Sequence, residues 1–289
     1  MLLNGRELST KIKDDLKVHL RNKAYDNPPG LGVIIVGDRQ DSLTYVKMKK
    51  RVCEQMGIVS KTIHLSENSS TENVISAVDI FNTDNSIHGI LVQLPLPNHV
   101  DEEMVLTRVD INKDVDGFHS SNIGNLAMER RKPLFTPCTP LGCIRLLDEY
   151  DIDVKGKNAV VIGKSNIVGL PISLMLMKRN ATVTVCHIFT EDVKSIVQRA
   201  DILVSACGQA QMVKGDWLKE GVVVVDIGIS HIPDPEDPEK TIIVGDVDFE
   251  EAKEKASYIT PVPGGVGPMT IAMLMENTFT AYCKSKNIR

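Results

Sequence analysis

Four side chains in the first half of the chain have types and spacing that could handle protons and orient a polar ligand. Tyr45 and Lys49 stand four residues apart in TYVKMK, so a helix would carry both on one face. Gln93 lies in VQLPLP, at the carboxyl end of an apolar run, and Asp116 lies in the loop segment KDVDG. Parallel sheets bind ligands beyond the carboxyl ends of their strands, which would bring Tyr45, Lys49 and Gln93 to one crevice. Taken alone, the Tyr45/Lys49 pair reads more often as an ordinary helix surface.

A second constellation is Gly163-Lys164-Ser165-Asn166-Ile167-Val168-Gly169, set between the apolar run NAVVI and a helical pattern. Such a turn lets backbone N–H groups approach a pyrophosphate at a helix N-terminus. Its spelling is GxSxxxG rather than GxGxxG, so a purely structural turn is the competing reading. A phosphate-binding Walker loop is excluded by spacing. It needs a glycine five positions before Gly163, where Asn158 stands, and Gly156 is seven away. After the next strand come Cys186-His187-Ile188, with no carboxylate to repel a 2′-phosphate. Lys164 could supply charge for one, which tolerates NADP; the alternative is that His187 ends a strand and Lys164 faces water. Finally, Pro261 to Thr270 (PVPGGVGPMT) is a rigid loop running into a helix. It suits either close backbone approach to a ligand or simply a tight helix start.

The elements that must position these groups follow from periodicity. Leu8, Ile12, Leu16 and Leu20 predict a first amphipathic helix, ending before Asn27-Pro28-Pro29-Gly30. LGVIIVG, VSKTIHL and IHGILVQL then read as strands, separated by helices over 42–56 and 71–81. RRKPLFTPCTP, residues 130–140, marks a domain boundary. Beyond it, KGKNAVVIG, ATVTVCH, DILVSAC and GVVVVDIG read as strands, with helices through Leu176 and over 191–199. PDPEDPEK, residues 233–240, reads as a solvated acidic loop, and residues 268–283 as an apolar helix started by proline. Strands alternating with helices imply βαβ units and parallel sheets.

The bulk numbers fit this picture. The 289 residues suffice for two domains, and 42% hydrophobic with 25% charged residues is a globular balance. A net charge of -5 argues against a nucleic-acid partner. Six scattered cysteines without a CxxC pair suggest neither a disulfide framework nor structural zinc, so no metal is expected and a reducing compartment is. No apolar run approaches the roughly 20 residues of a membrane span. The segment MLLNGRELSTKIKDDL carries acids within an amphipathic pattern, unlike a secretory signal or transit peptide. A cytoplasmic location is expected, with a mitochondrial one as the alternative.

TYVKMK, GILVQLPLP, KDVDGFH, TPCTPLG, GKSNIVGLP, GVVVVDIGI, GDVDF and PVPGGVGPMTIAMLMENT, in this order over nearly the whole chain, closely resemble the bifunctional methylenetetrahydrofolate dehydrogenase/methenyltetrahydrofolate cyclohydrolase family. The resemblance implies an α/β fold of two domains. The first is a three-layer folate-binding domain over 1–138 to which a helix at 269–289 returns; the second is a Rossmann-type NAD(P) domain over 139–268. It implies a cleft between them, and a homodimer. Tyr45 would stack on the folate, Lys49 would be the central catalytic group, Gln93 would position and tune it, and Asp116 would hold the pterin edge. Leu94, Pro95, Pro263, Gly264, Gly265 and Val266 would complete the tetrahydrofolate site. Gly163, Lys164, Ser165, Ile167, His187, Cys207, Gly208, Ile229, Gly265 and Thr270 would border the dinucleotide. NADP is the expected cofactor, with NAD as runner-up, because Ile188 stands where many NADP-using relatives carry a polar or basic residue. The implied activity oxidises 5,10-methylenetetrahydrofolate and hydrolyses the methenyl product, in service of one-carbon supply and purine biosynthesis. A shikimate or amino-acid dehydrogenase relative would explain the second domain but not Tyr45, Lys49, Gln93 and Asp116. A non-catalytic dinucleotide-binding protein would be expected to have lost the lysine or the glutamine.

Overall fold

The computed structural model describes residues 1–22, 27–235, 237 and 240–288, and these form two compact units. One comprises Lys11–Cys138 and Ile271–Arg289, the other Met1–Thr10 and Thr139–Thr270. Both are built on parallel sheets, as the alternating pattern implies.

In the first unit a three-stranded sheet has the order β2-β1-β3, with β1 at Gly30–Val36, β2 at Val59–Leu65 and β3 at Gly89–Val92. Val33 of β1 pairs with Thr62 on one side and Leu91 on the other. Every residue of β1 and β3 is buried, so their continuous apolar runs are those of strands covered on both faces. Helix α1 is Gly5–Asn22, α2 Gln40–Met56 and α3 Thr71–Thr83. Ser70 and Asn73 start α3 with reciprocal side-chain and backbone bonds. Phe81 of α3 lies flat on β1 because Gly32 has no side chain; a Cβ there would sit 2.6 Å from the ring. Two short helices, α4 at Glu102–Arg108 and α5 at Ser120–Ala127, follow β3. The sequence pattern did not reveal either.

The second unit carries α6 at Cys138–Glu149, then β4 at Asn158–Ile162, α7 at Gly169–Lys178 and β5 at Thr182–Cys186. Helix α8 at Val193–Val197 is shorter than the predicted 191–199, and β6 at Ile202–Ser205 and β7 at Val223–Asp226 follow it. A hairpin of β8 (Ser230–Pro233) and β9 (Thr241–Val244) comes next, then α9 at Phe249–Lys253 and β10 at Tyr258–Ile259. Of the acidic stretch 233–240, Pro233 ends β8, 234, 235, 237 and 240 lie between the two hairpin strands, and 236 and 238–239 lie outside the described residues. The main sheet has the order β10-β7-β6-β4-β5, all parallel. The first residues belong here because the Leu3 amide donates to the Ile259 carbonyl at 2.9 Å and Gly5 packs directly on Gly265.

Helix α10, Val266–Ser285, begins two residues before Pro268. Proline is tolerated there because the first-turn N–H groups have no partner inside the helix. From Ile271 onward α10 belongs to the first unit, as a returning helix requires. No helix among the described residues is long and apolar enough to cross a membrane.

Candidate active site

In the first unit, α2 presents Lys49 and, one turn earlier, Tyr45, and the end of β3 presents Gln93. The Lys49 ammonium donates to Gln93 Oε1 at 3.0 Å. Gln93 is aimed by two bonds: its backbone N–H donates to the Ile34 carbonyl at 2.8 Å, and Nε2 donates to the Leu94 carbonyl at 2.7 Å. With both amide hydrogens on the nitrogen, the oxygen is left to face Lys49. Asp116 is the carboxylate whose charge acts most strongly on it. Burial pushes Lys49 below the ordinary lysine pKa and Asp116 above the ordinary carboxylate pKa, each toward neutrality, while their mutual attraction opposes both shifts. Tyr45 is half-buried, and burial together with Asp41 raises its hydroxyl pKa.

The loop that carries Asp116 is held by its neighbours. Asp114 accepts from the amides of Phe118 at 3.2 Å and His119 at 2.9 Å and from Asn122 Nδ2 at 2.7 Å. Gly117 turns the chain at φ +77°, where a Cβ would lie 2.6 Å from Pro137 N. Behind Asp116, the Cys138 thiol donates to the Val115 carbonyl at 3.3 Å, and Asn277 of α10 donates to the carbonyls of Val115 at 2.8 Å and Thr136 at 3.1 Å. Burial pushes Cys138 well above the usual thiol range, so it serves as a neutral donor.

In the second unit, Gly163 closes β4 at φ +116°, with room for a Cβ blocked by the Ala206 carbonyl 2.2 Å away. A Cβ on Gly169 would lie 2.1 Å from the Gly163 carbonyl, so the two glycines pack on each other and set the GxSxxxG spacing. Ser165 Oγ accepts from the amides of Val168 at 3.2 Å and Gly169 at 3.3 Å, capping the start of α7. Lys164 and Ser165 are exposed and Ile167 is half-buried. His187 Nδ1 accepts from the Phe189 amide at 3.2 Å, and Ile188 beside it is 87% exposed. Cys207, Gly208 and Ile229 follow the ends of β6 and β7. In the 261–270 loop, Pro263 is exposed, Gly264 lies at φ +118° and accepts from the Arg6 amide at 2.9 Å, Gly265 and Val266 are buried, and Thr270 Oγ1 is 3.0 Å from Thr139 Oγ1. The structure therefore gathers Lys49, Gln93 and Asp116 in one unit, with Tyr45 a helical turn from Lys49 and Leu94 and Pro95 next to Gln93. The glycine turn, His187, Cys207, Gly208, Ile229 and residues 263–266 and 270 lie in the other unit.

Residues 3–116 match the family model for the tetrahydrofolate dehydrogenase/cyclohydrolase catalytic domain, and residues 137–286 match that family's NAD(P)-binding domain. The chain belongs to the tetrahydrofolate dehydrogenase/cyclohydrolase family. Among dehydrogenase/cyclohydrolase relatives, it is 51% identical over 291 residues to bifunctional protein FolD 4, chloroplastic, of Arabidopsis thaliana, an alignment covering 100% of this chain and 81% of that one. It resembles the crystal structure of the bifunctional FolD enzyme from Campylobacter jejuni with a TM-score of 0.93 and 49% identity, covering 99% of each chain. The Trypanosoma brucei FolD structure, solved with NADP and an inhibitor, matches with a TM-score of 0.94 and 37% identity over 99% of this chain and 98% of that one.

The residues present fit the dinucleotide of that family's second domain. The Lys164, Ser165, Asn166 and Ile167 amides of the glycine turn have no internal acceptor among the described residues, the arrangement a pyrophosphate needs at a helix start. Sequence reading missed Asn122, Cys138 and Asn277, which hold the loop of Asp116 in one unit, and the two buried acids Asp226 and Asp246 in the other. An acid inside an apolar run, as in VVVVDIG, was the available signal for Asp226.

Proposed function

We propose that this chain oxidises 5,10-methylenetetrahydrofolate to the 5,10-methenyl form with NADP and hydrolyses that product to 10-formyltetrahydrofolate. The observation that carries the reading is the desolvated Lys49 bonded to Gln93 and facing the Asp116 charge. NADP, when bound, supplies the carbon that accepts the hydride.

The chain's own residues do the rest. Tyr45 offers a ring face to the pterin, and Asp116 accepts hydrogen bonds from its aminopyrimidinone edge. Leu94 and Pro95, next to Gln93 in the chain, belong to the same folate group, and family resemblance assigns Pro263, Gly264, Gly265 and Val266 to the folate as well. In the hydrolysis, water adds to the methenyl carbon, the bond from that carbon to N5 breaks, and the formyl group stays on N10. Lys49 exchanges the proton released by water; burial lowers its pKa toward the range where that transfer is effective near neutral pH. Gln93 fixes where the amine points.

Preference for NADP rests on the exposed Lys164 and on the absence of a carboxylate after His187, with NAD the alternative because Ile188 gives a 2′-phosphate no polar partner. A homodimer and one-carbon supply to purine biosynthesis belong to the same proposal. So does a reducing, cytoplasmic or organellar compartment, in keeping with six free cysteines.

The test follows reduced nicotinamide formation from methylenetetrahydrofolate with NADP and with NAD, and separately the loss of methenyltetrahydrofolate. Lys49→Met should lower the hydrolytic rate by about 100-fold or more. A wild type that reduces neither dinucleotide defeats the proposal, and full hydrolysis by Lys49→Met defeats the role given to the lysine.

A further inference from the structure

Two carboxylates sealed inside the nucleotide unit play no part in the reading above. Asp246 is 0% exposed and Asp226 is 3% exposed. Asp226, the last residue of β7, accepts from the amides of Gly228 at 2.9 Å, Asp246 at 3.0 Å and Val247 at 2.9 Å. Asp246 then reaches across to the turn after β6. It accepts from the amides of Cys207 at 2.8 Å, Gly208 at 3.2 Å and Gln209 at 2.9 Å and from Ser205 Oγ at 3.3 Å. One acid thus hangs the backbone that carries the second, and the second holds the turn. The approach depends on two glycines. A Cβ at Gly228 would lie 2.2 Å from Asp246 Oδ1, and one at Gly245 would lie 1.9 Å from Asp226 Oδ2.

The location of that turn gives the arrangement a use beyond folding. In the order β10-β7-β6-β4-β5, the chain leaves β4 for β5 on one side and returns to β6 on the other, so the strand order reverses between β4 and β6. Ligands of open parallel sheets bind beyond the strand ends at such a reversal. The turn after β6 stands there, packed on the glycine turn through the Gly163–Ala206 approach. With the pyrophosphate at the glycine turn and the adenosine toward β5, the nicotinamide half must extend over the ends of β6 and β7. Those two ends are the ones the acid pair fixes.

We propose that Asp246, backed by Asp226, is the positioning residue for the nicotinamide half of the dinucleotide. It sets the 207–209 turn and the start of the 227–229 loop before the ligand arrives. The cost of ordering them is then not drawn from binding, and the ring is held at the orientation hydride transfer demands. Six backbone amides and a hydroxyl around two buried carboxyl groups form a rigid frame without any side chain touching the ligand. The proposal rests on the dehydrogenase reading.

Asp246→Asn keeps the shape but turns one acceptor into a donor that faces amides. The whole chain is titrated calorimetrically with NADP and with adenosine 2′,5′-bisphosphate, the half that lacks nicotinamide, and hydrolysis of methenyltetrahydrofolate is measured without dinucleotide. The Kd and KM for NADP should rise about tenfold or more. Bisphosphate binding and hydrolysis should stay within about twofold of wild type. Ser205→Ala removes only the hydroxyl donor and should raise the NADP Kd about two- to threefold, again sparing the bisphosphate. It decides the matter if Asp246→Asn does not fold, and an unchanged NADP affinity there overturns the assignment. Equal weakening of NADP and the bisphosphate, or unchanged NADP binding in folded Asp246→Asn, overturns it as well. A wild type that binds neither NADP nor NAD removes the dehydrogenase reading along with it, whereas a binding wild type with an unresponsive variant removes only the role of Asp246.

Discussion

A lysine on a helix is ordinarily a hydrated cation, and Lys49 departs from that because its amine is packed away from water, bonded to an amide oxygen and influenced by the charge of Asp116. Asp116 is the main charge that keeps the amine protonated, so removing it has a definite sign. In Asp116→Asn the Lys49 pKa should fall further, and the limb of the kcat-against-pH profile set by Lys49 should move to lower pH. In Tyr45→Phe, which removes no charge, that limb should stay in place while KM for folate changes. Measuring hydrolysis across pH at saturating substrate checks both, and an unmoved limb in Asp116→Asn would separate the two groups. The sequence makes Tyr45, Lys49 and Gln93 readable because helix spacing and a strand end fix where they point. It cannot rank the two acids of KDVDG. Asp114 is occupied by backbone and Asn122 bonds and pushed by burial to about 7, leaving Asp116 for chemistry. Asn277 lies 162 residues from the Val115 carbonyl it holds, and no local pattern encodes such a pairing.

At the scale of elements, periodicity exposes the long helices and the fully buried strands, because burial on one face or both leaves a regular apolar signature. It fails at α4, α5 and the β8–β9 hairpin, which are too short to repeat a period. It passes over α6, where the prolines of 130–140 read as a domain boundary although proline is tolerated in a first helical turn, and it starts α10 at Pro268, two residues late. Glycines divide in the same way between local and tertiary causes. Gly57 ends α2 at φ +74° with nothing within 4 Å of a Cβ, so its requirement is conformational only. Gly163 adds a collision with the Ala206 carbonyl to its positive φ. Gly57→Ala should therefore cost about 1 kcal/mol, and Gly163→Ala about 3 kcal/mol together with most of the dinucleotide affinity. Urea unfolding of both variants tests the contrast, and equal losses would mean that the Gly163–Ala206 approach relaxes freely.

For the molecule as a whole, the titration of groups buried by tertiary packing decides how stability follows pH. His88, 5% exposed, accepts from the Gly30 amide at 3.0 Å through Nδ1 and meets the Tyr282 ring of α10 edge-on at 4.8 Å. Burial first, then Lys286 and Lys113, lower its pKa from 6.5 to about 4. The unfolded chain therefore takes up this proton below pH 6.5 while the native chain refuses it until about 4, and stability falls as pH drops through that window. Asp114 and Asp226, raised mainly by burial to about 7, act in the opposite sense: their contribution is present below pH 3.8 and is lost as pH rises through 7. The total curve mixes the two, so the histidine is isolated by difference. His88→Asn keeps an acceptor for the Gly30 amide but cannot titrate. Between pH 6.5 and 4 the wild type should lose about 2 kcal/mol more unfolding free energy than this variant, allowing for partial solvent access. Denaturant titrations at matched pH values decide it: parallel stability curves for the two proteins would mean that His88 takes up its proton without disturbing the packing of α10 on the sheet.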